Sequence, residues 1–145
     1  MEEEHTSKKK GYAERLGKEA TMKAQRTVDP LHIFIEYKPP NWNEYIKAER
    51  ASKYKANEIK QLEKQIVYYS TKGKKYTGGY PAEIIFRPHY SAMREDLDNC
   101  RCKGLLDGLV TAGVVKNDNL KHIQRIVYEP VFDDKTGIEI IIKEL

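Results

Sequence analysis

Apolar and polar positions alternate with a period of two over Leu31–Tyr37 (LHIFIEY), which puts Leu31, Ile33 and Ile35 on one side and predicts a strand. Lys38-Pro39-Pro40 ends it, because proline has no ladder donor. The period then changes to that of a helix. Asn41 is placed to cap it, and Trp42, Tyr45, Ile46, Ile59, Leu62, Ile66 and Tyr69 recur on one helical face. Glu49 and Ser52 weaken the middle of that face, so a break is expected near residues 50–53. A basic, glycine-containing stretch over residues 71–79 reads as a loop, and Pro81–Pro88 (PAEIIFRP) as a second strand that gives way to irregular chain over His89–Met93. A helix over Cys100–Ala112 takes Cys102, Leu105, Leu106, Leu109 and Ala112 as its apolar stripe, with Gly113 at the left-handed position after its end. His122–Val131 and Gly137–Ile142 are strands, and the polar turn ending in Gly137 predicts a hairpin between them. The expected fold class is α+β. It combines a small mixed sheet of about four strands with a long N-terminal helix and a second helix after the Asp96/Asp98 segment.

Residues 1–30 carry alternating charges and few apolar side chains, with only a sparse helical pattern around Tyr12–Ala24. They are read as a charged flexible extension closed by Pro30, ahead of a folded domain over 31–145. The chain has 145 residues, 39% hydrophobic and 33% charged, enough for one domain with a small core. No apolar run is long enough to span a membrane, and the N-terminus lacks the apolar core of a signal peptide. Two cysteines cannot build a disulfide framework. A cytoplasmic location without a membrane partner is expected.

Charge changes the picture more than composition does. The net charge of +4 is a weak signal, but residues 38–75 hold ten basic and four acidic residues, a local excess of six. Folded onto one face, such a stripe tracks a polyanion. The same run also reads as a solvated helix face.

The segment Arg94-Glu95-Asp96-Leu97-Asp98-Asn99 carries the candidate chemistry. On extended backbone Asp96 and Asp98 point to the same side, where two carboxylates repel unless a cation lies between them. Mg²⁺ is such a cation and takes oxygen ligands. Asp118, beyond the next helix, supplies a third carboxylate. Lys103 lies one turn into that helix and leans toward its N-terminus, where an ammonium can hold a phosphate or stabilise charge in phosphoryl transfer. Each residue also has a purely structural reading: Asp98 or Asn99 as a helix cap, Lys103 and Asp107 as an i,i+4 surface pair, Asn117-Asp118-Asn119 as a turn. Cys100 and Cys102, two apart on a helix, would point to different faces, and no close metal-ligand spacing joins them to a histidine. No P-loop and no G-x-G-x-x-G is present, so no nucleotide cofactor is expected.

The stretch DLDNCRCKGLLDGLVTAGVVKND, residues 96–118, resembles the signature of RusA-type Holliday-junction resolvases, a family common in phages and prophages. Four elements recur in order: D-x-D-N, a helix with Lys followed by D-x-L, an A-G turn, and an acidic pair. The strand–Pro-Pro–Asn arrangement near Phe34–Tyr45 and the Gly137–Ile142 strand add to the likeness, which covers about residues 31–143. The resemblance implies a homodimeric, metal-dependent endodeoxyribonuclease that resolves four-way junctions by paired symmetric nicks in recombination and repair, leaving 5′-phosphate ends, in the cytoplasm of a bacterial host. It carries metal binding onto Asp96, Asp98 and Asp118, with Mg²⁺ as the metal and Mn²⁺ as the alternative, and the catalytic lysine onto Lys103. Two departures stand out. Asn117 replaces the first acid of the pair, and the link from Asp98 to Lys103 is one residue longer than in the simplest motif, which makes Arg101 the alternative cation. For branched DNA, the phosphate contacts are assigned to Lys38, Lys47, Arg50, Lys53, Lys55, Lys72, Lys74, Lys75, Arg87, Arg94 and Arg101. Trp42, Tyr45 and Tyr54 are candidate wedges between bases. A junction-binding protein that has lost cleavage and a basic RNA- or protein-binding module are the competing functions.

Overall fold

A computed structural model describes residues 28–145; most of the extension assigned to residues 1–30 therefore lies outside the described residues. The chain runs β1 (Leu31–Ile35), α1 (Trp42–Ala51), α2 (Lys53–Ser70), β2 (Ala82–Tyr90), a single 3₁₀ turn (Leu97–Asn99), α3 (Lys103–Thr111), β3 (Ile123–Tyr128), β4 (Val131–Phe132) and β5 (Ile138–Glu144). The class is α+β: among the described residues there are three α-helices and a mixed five-stranded sheet of order β1-β5-β2-β3, with β4 paired to the end of β2.

Local chemistry explains the helix boundaries. Asn41 caps α1, its side-chain oxygen accepting from the Glu44 N–H at 2.8 Å. The expected break falls at Ser52, whose extended backbone ends α1 while its hydroxyl accepts from the Tyr54 N–H to start α2. The buried face of α2 is not the one expected. Leu62 and Tyr69 are 48% and 72% exposed, and Ala56, Glu63 and Val67 face the core. Gly113 ends α3 with φ +76°, as its position predicts.

One layer of the core is the helix-facing side of the sheet: Ile33 and Ile35 of β1, Ala82, Ile84 and Phe86 of β2, and Ile138, Ile140 and Ile142 of β5. Val67, Leu105 and Leu109 close it from α2 and α3. Buried and part-exposed positions alternate along β5, so one face of the sheet packs on the helices and the two form packed layers.

The hairpin expected between the last strands is not formed. β5 pairs antiparallel with β1 and β2, and β3 pairs parallel with β2 on its other side. The turn over Asp133–Gly137 therefore crosses the end of β2. His89 holds it there: its N–H donates to the Gly137 carbonyl, and its ring Nδ1 lies 2.8 Å from Asp133 Oδ2. β2 also runs past Pro88, where a strand end was expected. The Ala82 N–H donates toward β3 and the His89 N–H toward β5, so the position of Pro88 faces the β3/β4 side. Pairing to β3 ends at Phe86 and pairing to β4 begins at His89, so the missing donor meets the interruption at Glu129-Pro130.

Candidate active site

After Tyr90 the chain leaves the sheet through an exposed segment, residues 91–98, and re-enters the core at Arg101. Asp96 is extended (φ −81°, ψ 136°), but Asp98 lies inside the 3₁₀ turn closed by Asn99 N–H to Asp96 O and Cys100 N–H to Leu97 O, both 3.1 Å. The uniformly extended backbone expected across this pair is therefore corrected. Neither Asp98 nor Asn99, the expected cap candidates, caps α3. α3 begins at Lys103 behind Cys102, which makes no side-chain capping bond, and the Asn99 side chain accepts from the Asn43 N–H of α1 at 3.2 Å.

Asp118 lies in the turn after α3. The Asn117 side-chain oxygen accepts from the N–H groups of Asp118 (2.7 Å) and Asn119 (3.1 Å), so the residue that stands in for an acid is used to hold the turn. The carboxylates of Asp96, Asp98 and Asp118 are exposed, and the nearby cations pair elsewhere: Lys38 with Glu95 at 3.0 Å, and Lys103 with Asp107 at 3.7 Å. Lys103 thus makes the expected i,i+4 contact and remains exposed, in a cleft with Trp42, Tyr45 and Lys60. Among the described residues, no three His, Cys, Asp or Glu side chains stand together as a set that could hold a metal ion.

The cations assigned to DNA divide into two groups. Lys47, Arg50, Lys53, Lys55, Lys72, Lys74, Lys75 and Arg94 are exposed. Lys38 is exposed but paired, and its ammonium lies 5.5 Å from the Tyr90 ring centre. Arg87 is half-buried between Glu129 (3.4 Å) and Glu139 (3.1 Å) on the sheet. Arg101 is a correction. It is 2% exposed and forks onto Glu63, itself 0% exposed, with Nη1 to Oε2 at 3.0 Å and Nη2 to Oε1 at 2.7 Å. Its guanidinium lies 4.0 Å from the Tyr45 ring centre. A buried arginine satisfied this way is not presented to solvent, as a phosphate contact requires. Tyr45, buried against it, is withdrawn as a wedge; Tyr54, 82% exposed, is not.

Three pairings escape a reading based on periodicity. The first is Arg101–Glu63. Its sequence signal is Gly104-x-x-x-Gly108, two glycines on one side of α3 where α2 approaches. A Cβ at Gly104 would meet the Glu63 carboxylate, and one at Gly108 would lie 2.9 Å from Val67 Cβ. The second is His89–Asp133, in which the histidine hydrogen bond holds the Asp133 carboxyl below its ordinary range. The third is Cys100–Cys102. Neither lies within the helix, and their Sγ atoms are 3.7 Å apart rather than on separate faces. The hydrogen bond from Cys102 outweighs burial and lowers the Cys100 thiol to about 7, while the same bond, with burial, pushes Cys102 up. No sequence signal beyond their adjacency marks this pair.

Free carboxylates, an exposed lysine at a helix start and a run of exposed cations are the groups a phosphodiester-cutting enzyme needs. The family model described as endodeoxyribonuclease RusA matches residues 5–143, nearly the whole chain, and the chain belongs to the RusA endodeoxyribonuclease family. Membership implies the nuclease activity of a Holliday-junction resolvase and branched DNA as its substrate. No curated relative matches the chain.

Proposed function

We propose that the protein is a divalent-metal-dependent endonuclease that, as a homodimer, resolves four-way DNA junctions by paired symmetric nicks and leaves 5′-phosphate ends. The family match over residues 5–143 carries this reading. The structure supports it through what it leaves exposed: Asp96, Asp98 and Asp118, and Lys103, which reaches solvent at the start of α3 beside Asp107.

Their oxygen donors are the type Mg²⁺ takes, and Mn²⁺ accepts the same set. Among the described residues no three such donors stand together, so this assignment rests on donor chemistry and family membership. When bound, the metal would activate water and stabilise the leaving oxygen. Lys103 would hold the scissile phosphate, its charge placed where negative charge builds up. The exposed cations of α1, α2 and the loop at 72–75, with Arg94, would follow the phosphate backbone, so junction preference would come from branch shape rather than base contacts. Two copies related by a two-fold axis would match the symmetry of the junction.

A binding-only relative is the second reading, favoured by Asn117, which lacks the acid charge and spends its side chain on the turn. A labelled junction beside a matched linear duplex, in Mg²⁺ or EDTA, separates the two. Paired nicks in the junction alone, lost in EDTA, are expected. Tight junction binding without cutting in Mg²⁺ and in Mn²⁺ would establish the second reading instead.

A further inference from the structure

Two thiols lie side by side in the segment that joins the acidic pair to Lys103. Cys100 Sγ and Cys102 Sγ are 3.7 Å apart, and both are free. Cys102 is 1% exposed, whereas Cys100 is only partly buried and lines a cavity with Lys38, Tyr90 and Glu95. A small oxidant therefore meets Cys100 first, with Cys102 in place behind it.

We propose that Cys100 and Cys102 form a paired-thiol modification site at which a hydroperoxide closes an intrachain disulfide. The Cys100 sulfur attacks the peroxide O–O bond, forming a sulfenic acid and releasing water or an alcohol. The Cys102 sulfur then attacks Cys100; the S–S bond forms, and the sulfenic oxygen leaves as water with the remaining thiol proton. The two thiols are oxidised by two electrons and the peroxide is reduced by two. A dithiol reductant reverses the bond by exchange.

The position of the pair gives the bond a consequence. A disulfide is about 2.05 Å long, so closure draws the two sulfurs together by more than an ångström. Arg101 between them cannot follow freely, because its guanidinium is fixed to Glu63. The strain falls on the chain between Asp98 and Lys103, and misplacement on this scale costs an active site about a hundredfold in rate. This second step rests on the nuclease reading; the bond itself does not.

The test uses the full chain treated with hydrogen peroxide, then freed of peroxide, unfolded in denaturant, alkylated at its thiols and read by intact mass. Wild type should lose both alkylatable thiols together, with a mass lower by two hydrogens, and regain them with dithiothreitol. Cys102→Ser should stop at a sulfenic acid on Cys100 that dimedone traps. Cys100→Ser should leave Cys102 alkylatable. Junction cleavage by the oxidised protein should fall about a hundredfold and return on reduction. Independent oxidation of the two thiols, equal reactivity of Cys102 in Cys100→Ser, or a bond between two chains would overturn the site. A closed bond with unchanged cleavage would overturn its coupling to the active segment. A reduced protein that never cuts would instead reject the nuclease reading and leave the mass result standing.

Discussion

A guanidinium removed from water is tolerated only when it is paired and its donors are satisfied, and Arg101 meets both conditions with Glu63 in a forked pair. Removing one member leaves the other buried and unpaired. Arg101→Ala should therefore lower stability by about 3–5 kcal/mol, read as a shift in the urea midpoint. If Arg101 instead contacted phosphate, the variant would unfold like wild type and bind DNA less well. Asp118 has the opposite character: its carboxylate is exposed, and the turn is held by its neighbour Asn117. Asp118→Asn should leave the urea midpoint and junction affinity near wild type while cleavage falls roughly a hundredfold or more, the loss of several kcal/mol of metal-borne stabilisation. An Asp118→Asn protein that cuts at the wild-type rate would sink the metal assignment.

At the scale of elements, the close approach of α2 to α3 fixes where the active segment re-enters the core. Replacing a helical glycine by alanine ordinarily gains about 1 kcal/mol. At Gly104 the new methyl would meet the Glu63 carboxylate, which Arg101 pins in place, and at Gly108 it would press on Val67 Cβ at the α2 backbone. Neither obstacle is the loose end of a flexible chain. Gly104→Ala and Gly108→Ala should each destabilise by about 1–3 kcal/mol, and a rise in melting temperature for either would show that the helices can separate at little cost. These contacts also mark what the sequence makes legible. Local features were readable: β1 from its alternation, the Asn41 cap, the break at Ser52 and the turn at Gly113 each depend on neighbouring residues. The face of α2 was misread because a buried charge satisfied from a distant residue looks the same in sequence as a solvated one. The pairing of β5 was misread because a turn signal specifies that the chain reverses, not which strand lies alongside. β2 fills the space between β3 and β5, and that choice is made by the isoleucines at Ile138, Ile140 and Ile142 packing from the middle of the sheet. The acidic residues and Lys103 were legible as a motif, and the turn that shapes their backbone was not.

At the scale of the whole fold, the exposed cations assigned to DNA among the described residues gather on the α1–α2 arm and the loop beyond it. Lys47, Arg50, Lys53 and Lys55 lie on or beside the joint between the two helices, and Lys72, Lys74 and Lys75 follow α2; all seven are exposed. Three of the eleven cations assigned to DNA, Lys38, Arg87 and Arg101, are paired with carboxylates of the fold, so the surface proposed to track phosphate is narrower than charge counting suggests. Binding through such a surface releases counterions, and each phosphate contact contributes about 0.9 to the slope of log affinity against log salt on duplex arms. If all three loop lysines touch the backbone, replacing Lys72, Lys74 and Lys75 together by alanine should lower that slope by roughly 2.7, with the urea midpoint unchanged. The affinity ratio of junction to linear duplex should change much less than either affinity, because the lost contacts are to backbone common to both. A variant with the wild-type slope would remove the loop from the DNA surface and confine binding to the helical arm. A variant that lost the junction preference while keeping most of its duplex affinity would place the loop at the branch point, where shape rather than charge selects the substrate.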